Sequence, residues 1–298
     1  MPFHFVRVDY AARRKILLLL LILMLFGCYK LMPSLSNSEQ EIHFELTDFS
    51  VLKSNQFPPT HPVVLNYLRG HHMTPPSKLG YKFPTEPIVR SQHEKELRQI
   101  FSEREPGFFV ECGAHDGEFY SNTLELELLK NWTGLLIEMD PKLLKSLKTK
   151  HRNAWIAGVC VSPHNNFTEL ELIMGDQINY WSKGETFVRT PGNMNDKEAR
   201  NLKKSGFMVE CFPLVSQLAA INITHVDFLS LDVQGLEMDI LATILVDSGI
   251  TVDYILAEHT LIPNGKNSMK EFLISKGYEL IFDHFNDFLF KRRIINTN

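Results

Sequence analysis

The stretch GFFVECGAHDGEFYSNTLELELL, residues 107–129, decides the fold. It opens with an apolar run that reaches an acid, Glu111, bends through Gly113 and Gly117, and continues into leucines at helical spacing. An apolar run this short, bounded by a glycine turn and followed by an amphipathic segment, reads as a buried strand feeding a helix. Where a strand turns through glycine into a helix, backbone N–H groups and the helix dipole favour an anion, and glycine permits close approach. The spacing Glu111-x-Gly113-x-x-x-Gly117 is not the G-x-G-x-x-G fingerprint, because His115 occupies the position between its glycines. Pyrophosphate binding is therefore disfavoured.

The acid at the start of the turn suits a ligand that carries an ammonium group as well as a carboxylate, and S-adenosylmethionine carries both. About twenty-five residues further on, the run TGLLIEMDP, residues 133–141, ends a second strand at Glu138. An acid at that tip is placed to accept hydrogen bonds from two ribose hydroxyls, while Asp140 caps the helix that Pro141 begins. A third element, DFLSLDVQGLE, residues 227–237, sets Asp232 at the carboxyl end of another strand, where open α/β sheets place their ligands. Gly235 turns the chain there, and Glu237 opens the next helix, either as a purely structural acid or as part of the site. Glu258 and His259 end the neighbouring strand, so Asp232, Glu258, His259 and also His115 are candidates to converge on one crevice. General base and divalent-metal ligand are the two roles open to them. No metal-ligand spacing motif accompanies them.

Outward from this core the chain alternates. Strands are expected at GFFVEC, TGLLIEM, AWIAGVCV, HVDFLSLDV and TVDYILAEH, with helices at SNTLELELLK, PKLLKSLKTKHR and LEMDILATIL. Such alternation argues a mainly parallel sheet covered by helices. A helix near residues 268–275 then leads into YELIFDHFNDFLFKR, two strands joined by a turn, an antiparallel ending. QHEKELRQIF, residues 92–101, reads as a helix before the first strand, and HPVVLNYLRGHH, residues 61–72, as a shorter one. Residues 176–206 form a long polar stretch with little pattern, which reads as a lid or as disorder. The Lys-rich segment at 142–152 reads as a solvated helix face.

The N-terminus has a different character. Arg13, Arg14 and Lys15 precede ILLLLLILMLFGCY, residues 16–29, which would span roughly 21 Å as a helix and can extend to Met32. With the positive charge on the N-terminal flank, the expected organisation is a cytoplasmic tail at 1–15, a signal anchor at 16–32, a stem at 33–60 and a lumenal domain at 61–298 with its core at 90–298. A cleaved signal peptide is the alternative. Either way the domain is exported, and single-pass type II placement in the membrane of the endoplasmic reticulum or Golgi is expected. Three of the four cysteines, Cys112, Cys160 and Cys211, would then meet an oxidising lumen. Cys160 and Cys211 are the expected pair, because Cys112 sits beside the turn as a small buried residue. A net charge of −4 supplies no basic field, so nucleic acid is not expected as a partner.

With these residues in view, the chain resembles the FkbM-type family of S-adenosylmethionine-dependent methyltransferases, and within it the Star-like membrane proteins of animals. The text that carries the resemblance is FFVECGAHDGEFYSNTLELELLKNWTGLLIEMDP, NAWIAGVCVSP, VECFPL and DFLSLDVQGLEMDILATI. It implies a class I methyltransferase (Rossmann-like) α/β sheet with a terminal antiparallel hairpin. It also implies that Glu111, Gly113 and Gly117 meet the methionine part of the cofactor, Glu138 its ribose, and residues near 159–161 the adenine. Star-like membership implies a role in moving membrane-bound growth-factor precursors from endoplasmic reticulum to Golgi; the alternative is a membrane-tethered S-adenosylmethionine-dependent O-methyltransferase acting on a sugar or other hydroxyl. The family's usual acid after Asp232-Val is Gln234 here, which weakens the case for turnover if that acid is a catalytic base or metal ligand and changes little if it caps a helix.

Overall fold

The computed structural model describes residues 48–83, 91–174, 186–189, 207–262 and 264–294. The expected tail and anchor, residues 1–32, lie outside the described residues, and among those described no helix is long and apolar enough to cross a membrane. In chain order the elements are α1 (Phe49–Asn55), α2 (Pro62–His71), β1 (Met73–Thr74), α3 (Glu94–Ile100), β2 (Phe108–Cys112), α4 (Leu124–Lys130), β3 (Thr133–Ile137) and α5 (Pro141–Thr149). They continue with β4 (Trp155–Ala157), β5 (Cys160–Val161), β6 (Thr168–Met174), β7 (Thr186–Arg189), β8 (Phe207–Phe212), α6 (Leu214–Ala220) and β9 (His225–Leu231). The last elements are α7 (Glu237–Ile244), β10 (Thr251–Glu258), α8 (Lys266–Ser275), β11 (Tyr278–His284) and β12 (Asp287–Arg292).

Eight strands form one sheet in the order β1-β4-β3-β2-β9-β10-β12-β11. Strands β4, β3, β2, β9 and β10 run parallel, while β12 enters antiparallel between β10 and β11. This is the mainly parallel α/β sheet with an antiparallel terminal hairpin that the sequence predicts. The parallel strands read as nearly unbroken apolar runs because both faces are covered. Val110, Cys112, Leu135, Ile137, Leu229 and Ile255 pack on one face, and Phe109, Leu136, Phe228, Tyr254 and Leu256 on the other. On that second face Phe101, which ends α3, meets Trp132, Phe228 and Tyr254 edge-on with centroids 5.1, 5.3 and 5.1 Å away. From β2 the chain builds outward through β3 and β4, then returns to place β9 on the other side of β2. The reversal opens a crevice at the carboxyl ends of β2 and β9, the position where sheets of this type hold ligands.

Several local expectations are revised. AWIAGVCV is two strands, not one: the chain breaks at Gly158, whose N–H bonds the His72 carbonyl, and a Cβ there would meet Leu144 at 2.6 Å. β5 instead pairs with β8 in a second sheet, ordered β5-β8-β6-β7. Strand β7 falls inside the polar stretch at 176–206, the remainder of which is outside the described residues. The helix Phe49–Asn55, within the expected stem, buries Phe49 and Leu52, and Phe49 packs edge-on against Phe212 at 5.3 Å. The Lys-rich segment is not uniformly solvated. Lys142, Lys145 and Lys148 are exposed, but Lys150 and Arg152 are buried.

Cys160 and Cys211 are joined by a disulfide across the β5–β8 register, and Cys112 is free and buried. The bridge closes a separation of 51 residues. Removing a cross-link over that span is expected to cost about 2–4 kcal/mol through the unfolded chain's regained freedom. Denaturant unfolding of Cys160→Ser/Cys211→Ser against the parent chain measures it, and an unchanged midpoint would refute the assignment of the bridge as a stabilising staple.

Candidate functional site

The crevice is a cleft of about 450 Å³ whose floor is made by the tips of β2, β3, β9 and β10. Glu111, Gly113, His115, Glu138, Asp232, Gln234 and Glu258 all line it. Gly113 has φ +83, and a Cβ on it would stand 2.2 Å from the Asp232 carbonyl oxygen. Glycine is thus needed for β2 and β9 to end side by side.

The turn after β2 satisfies its own backbone. The Gly113 and Ala114 N–H groups both donate to the Ile137 carbonyl, at 3.1 and 3.0 Å, and the His115 N–H donates to Glu138 Oε2 at 2.8 Å. The expectation that these groups face an anion is therefore corrected: neighbouring strands already occupy them. The α4 helix that follows has only seven residues, and the N–H of its first residue, Leu124, donates to Ser121 Oγ at 3.2 Å.

Glu111 is buried and accepts from the Ser121 hydroxyl (2.8 Å), the Thr123 hydroxyl (2.6 Å) and the Asn122 N–H (2.7 Å). Burial raises its pKa, opposed by the Arg152 charge and by these donors. Its main work is to hold residues 121–123 against the strand tip. Gly117, φ +78, is not among the cleft residues; it packs on Leu147, and its carbonyl accepts from Arg152. Glu138 is buried, takes N–H bonds from His115 and Asp140, and has its pKa pushed up to about 7 by burial. Asp140 caps α5 by accepting from the Lys142 and Leu143 N–H groups.

At the other end of the cleft, Gln234 in a left-handed conformation (φ 56) donates its amide to Asp232 Oδ1 at 2.7 Å and to Glu258 Oε2 at 3.3 Å. Asp232 opens to the cleft yet sits among crowded walls, which with the Asp287 charge raise its pKa. Glu258 is pushed up to about 8 by burial and by the Asp232 charge. Glu237 turns back to accept from the Val233 and Gly235 N–H groups, so it braces the turn rather than facing the cleft. His259 is not brought to the cleft: its ring packs on Phe288 and its Nε2 lies 3.2 Å from Asp283.

Residues that sequence reading passed over complete the walls. Phe119, Tyr120 and Asn122 come from the turn, Ser230 from β9 and Asn286 from the β11–β12 turn. The polar run Ser121-Asn122-Thr123 ahead of a helix was the one available signal, and it reads equally well as a helix start. Val159, Cys160 and Val161, with Met139 and Leu143, give the cleft an apolar side beyond Glu138.

The donor set is that of a site for a cation. Four carboxylates line the cleft, and no lysine or arginine is among its described lining residues. His115 lines it as well, with its Nδ1 buried and 3.5 Å from Asp116 Oδ1. A positively charged ligand with hydroxyls and an apolar ring fits these walls.

The methyltransferase FkbM domain family matches residues 111–280, more than half of the chain. A comparison with curated proteins found no match. Among solved structures, similar chains include methyltransferase FkbM from Methylobacillus flagellatus, 12% identical with a TM-score of 0.39, covering 76% of this chain and 50% of that one. This chain thus spans half the length of that protein. Precorrin-6y C5,15-methyltransferase from Geobacter metallireducens is 10% identical with a TM-score of 0.35, covering 72% of this chain and 95% of its own. The N-terminal domain of human METTL16 in complex with SAH is 12% identical with a TM-score of 0.31, covering 78% and 80%. The family implies S-adenosylmethionine as cofactor, and its sulfonium and ammonium charges, ribose and adenine suit the acidic floor, Glu138 and the apolar side described above. The chain belongs to the methyltransferase FkbM domain family.

Proposed function

We propose that the protein is a membrane-tethered methyltransferase that methylates a hydroxyl of a sugar or similar acceptor in a lumenal compartment. The observation that carries this reading is the pair of carboxylates, Asp232 and Glu258, bridged by the Gln234 amide at the strand ends that face the cleft. When bound, S-adenosylmethionine supplies an electrophilic methyl group on a sulfonium. The chain's own part is to hold the acceptor oxygen in line and to receive its proton. Crowded carboxylates with raised proton affinity are suited to that step, since a base works best with a pKa near the working pH. The proton released as the O–H bond gives way to an O–CH3 bond passes to Glu258 or Asp232. The apolar run behind Arg13–Lys15 and the Cys160–Cys211 bridge support placement in the endoplasmic reticulum or Golgi, where a disulfide persists.

A second reading follows from the sequence likeness to Star-like proteins: a scaffold that moves membrane-bound growth-factor precursors from endoplasmic reticulum to Golgi. Gln234, standing where the family pattern carries an acid, favours it, because a cofactor fold that has lost its base can persist as a binding surface.

Incubating the full chain in detergent with methyl-labelled S-adenosylmethionine and neutral glycan acceptors separates the two. Methyl transfer that Glu258→Gln lowers by about 100-fold or more, with cofactor affinity unchanged, is the expected result. Absence of transfer, together with precursor export that fails once residues 1–32 are removed, would favour the scaffold. The pH dependence gives an independent check on Glu138. Its carboxyl must be ionised to accept ribose hydroxyls, and burial holds its pKa at about 7. The contribution of Glu138 to cofactor affinity, read as the parent chain against Glu138→Gln at each pH, should therefore be constant above pH 8 and fall by up to about tenfold per pH unit below pH 7. A contribution flat from pH 8 to 6 would remove Glu138 from the ribose site.

A further inference from the structure

Arg152 is fully buried, lies outside the cleft and comes from the segment between α5 and β4. Its Nε donates to Glu127 Oε2 at 2.8 Å, and both side chains of that pair are sealed from solvent. The remaining contacts of the guanidinium go elsewhere. Nη1 donates to the Gly117 carbonyl (2.5 Å) and the Ser121 hydroxyl (3.4 Å), and Nη2 to the Thr123 hydroxyl (3.2 Å). Four of the five N–H groups an arginine owns are thus committed, three of them to the turn after β2. Those three acceptors bracket Phe119, Tyr120 and Asn122, the cleft-lining part of that turn. Ser121 and Thr123 pass the restraint on by donating to Glu111 at the tip of β2. Two residues before Arg152, Lys150 contacts Glu118 and lies 3.5 Å from Asp116, so the same segment also holds the near end of the turn.

We propose that Arg152 is a positioning residue for cofactor binding: from behind the wall, its planar fork fixes residues 117–123 in the geometry the cleft requires. The inference rests on the reading that this cleft holds S-adenosylmethionine. The competing account treats Arg152–Glu127 as a stabilising ion pair and no more. The two differ because neutral groups of similar volume often replace a buried ion pair without loss of stability, whereas they do not reproduce the geometry that a fork of directed hydrogen bonds imposes on the turn.

The test uses the full chain in detergent and S-adenosylhomocysteine as the probe, with affinity from calorimetry and melting temperature recorded for each variant. Arg152→Met strands the Glu127 charge and should lower both. Adding Glu127→Gln removes that charge while keeping an acceptor for the Asn153 N–H, and the melting temperature should recover towards the parent value. Affinity should stay lowered by about tenfold or more, since the bonds to Gly117, Ser121 and Thr123 remain lost. Amides of residues 113–123 should exchange faster in the double variant while those of β9 and β10 do not. Arg152→Lys covers the case in which the double variant does not fold: it retains the charge beside Glu127 but cannot span the three acceptors, and should melt near the parent with weakened affinity. Parent-like affinity in either folded variant overturns the inference. Failure of the folded parent chain itself to bind would instead remove the cofactor reading, and the positioning role with it.

Discussion

A guanidinium with no access to water must be met by acceptors on every side, and Arg152 imposes that requirement on the molecule. Glu127 of α4, the carbonyl and hydroxyls of the turn after β2, and, through Ser121 and Thr123, the Glu111 carboxylate all sit where this charge needs them. The segment that delivers it is itself held by chain from further upstream, since the Ser77 and Lys82 N–H groups donate to the Arg152 and Lys150 carbonyls. Stranding one member of a buried pair costs about 3–5 kcal/mol, against a total stability of about 5–15 kcal/mol for a typical domain. β2, the turn after it, α4 and the approach to β4 therefore stand or fall as a unit.

That rigidity matters because the cleft floor concentrates like charges. Glu111, Glu138, Asp232 and Glu258 converge where parallel strands end together, and burial alone makes ionising them costly. Two devices moderate the repulsion. Backbone N–H groups are spent on Glu138, and a neutral amide, Gln234, is shared between Asp232 and Glu258. A cationic ligand would relieve what remains, which is why the absence of lysine and arginine among the described lining residues is informative rather than incidental. In this arrangement Gln234 is a donor between two acids. An acid at that position would add a further charge unless it were protonated.

The parallel core was legible because its strands are buried on both faces and so leave uninterrupted apolar runs, each closed by glycine, proline or an acid. β2, β3, β9, β10 and the terminal hairpin follow from such marks, while the Cys160–Cys211 pairing follows from setting Cys112 aside as a small residue buried beside the turn. The second sheet was not legible. TELELIM in β6 alternates as a half-exposed strand does, but it adjoins a polar stretch that masks the signal, and β5 has only two residues. Of the site, the acids at strand tips could be found from spacing alone. His259 was misplaced because adjacent residues at a strand end diverge, and Glu258 and His259 do so here. The network behind the turn was invisible for a different reason: Lys150 and Arg152 close a lysine-rich stretch, and nothing local distinguishes a cation buried by distant acids from one in water. The turn's own amides were likewise credited to a ligand when a neighbouring strand had taken them.

Everything the cleft is suited to do depends on its holding S-adenosylmethionine through Glu138. Calorimetric titration of the full chain in detergent with that cofactor tests it most directly. Saturable one-to-one binding, on the order of micromolar, that disappears in a folded Glu138→Ala variant is the result this structure predicts. No binding by a folded parent chain, or undiminished binding by Glu138→Ala, would contradict it.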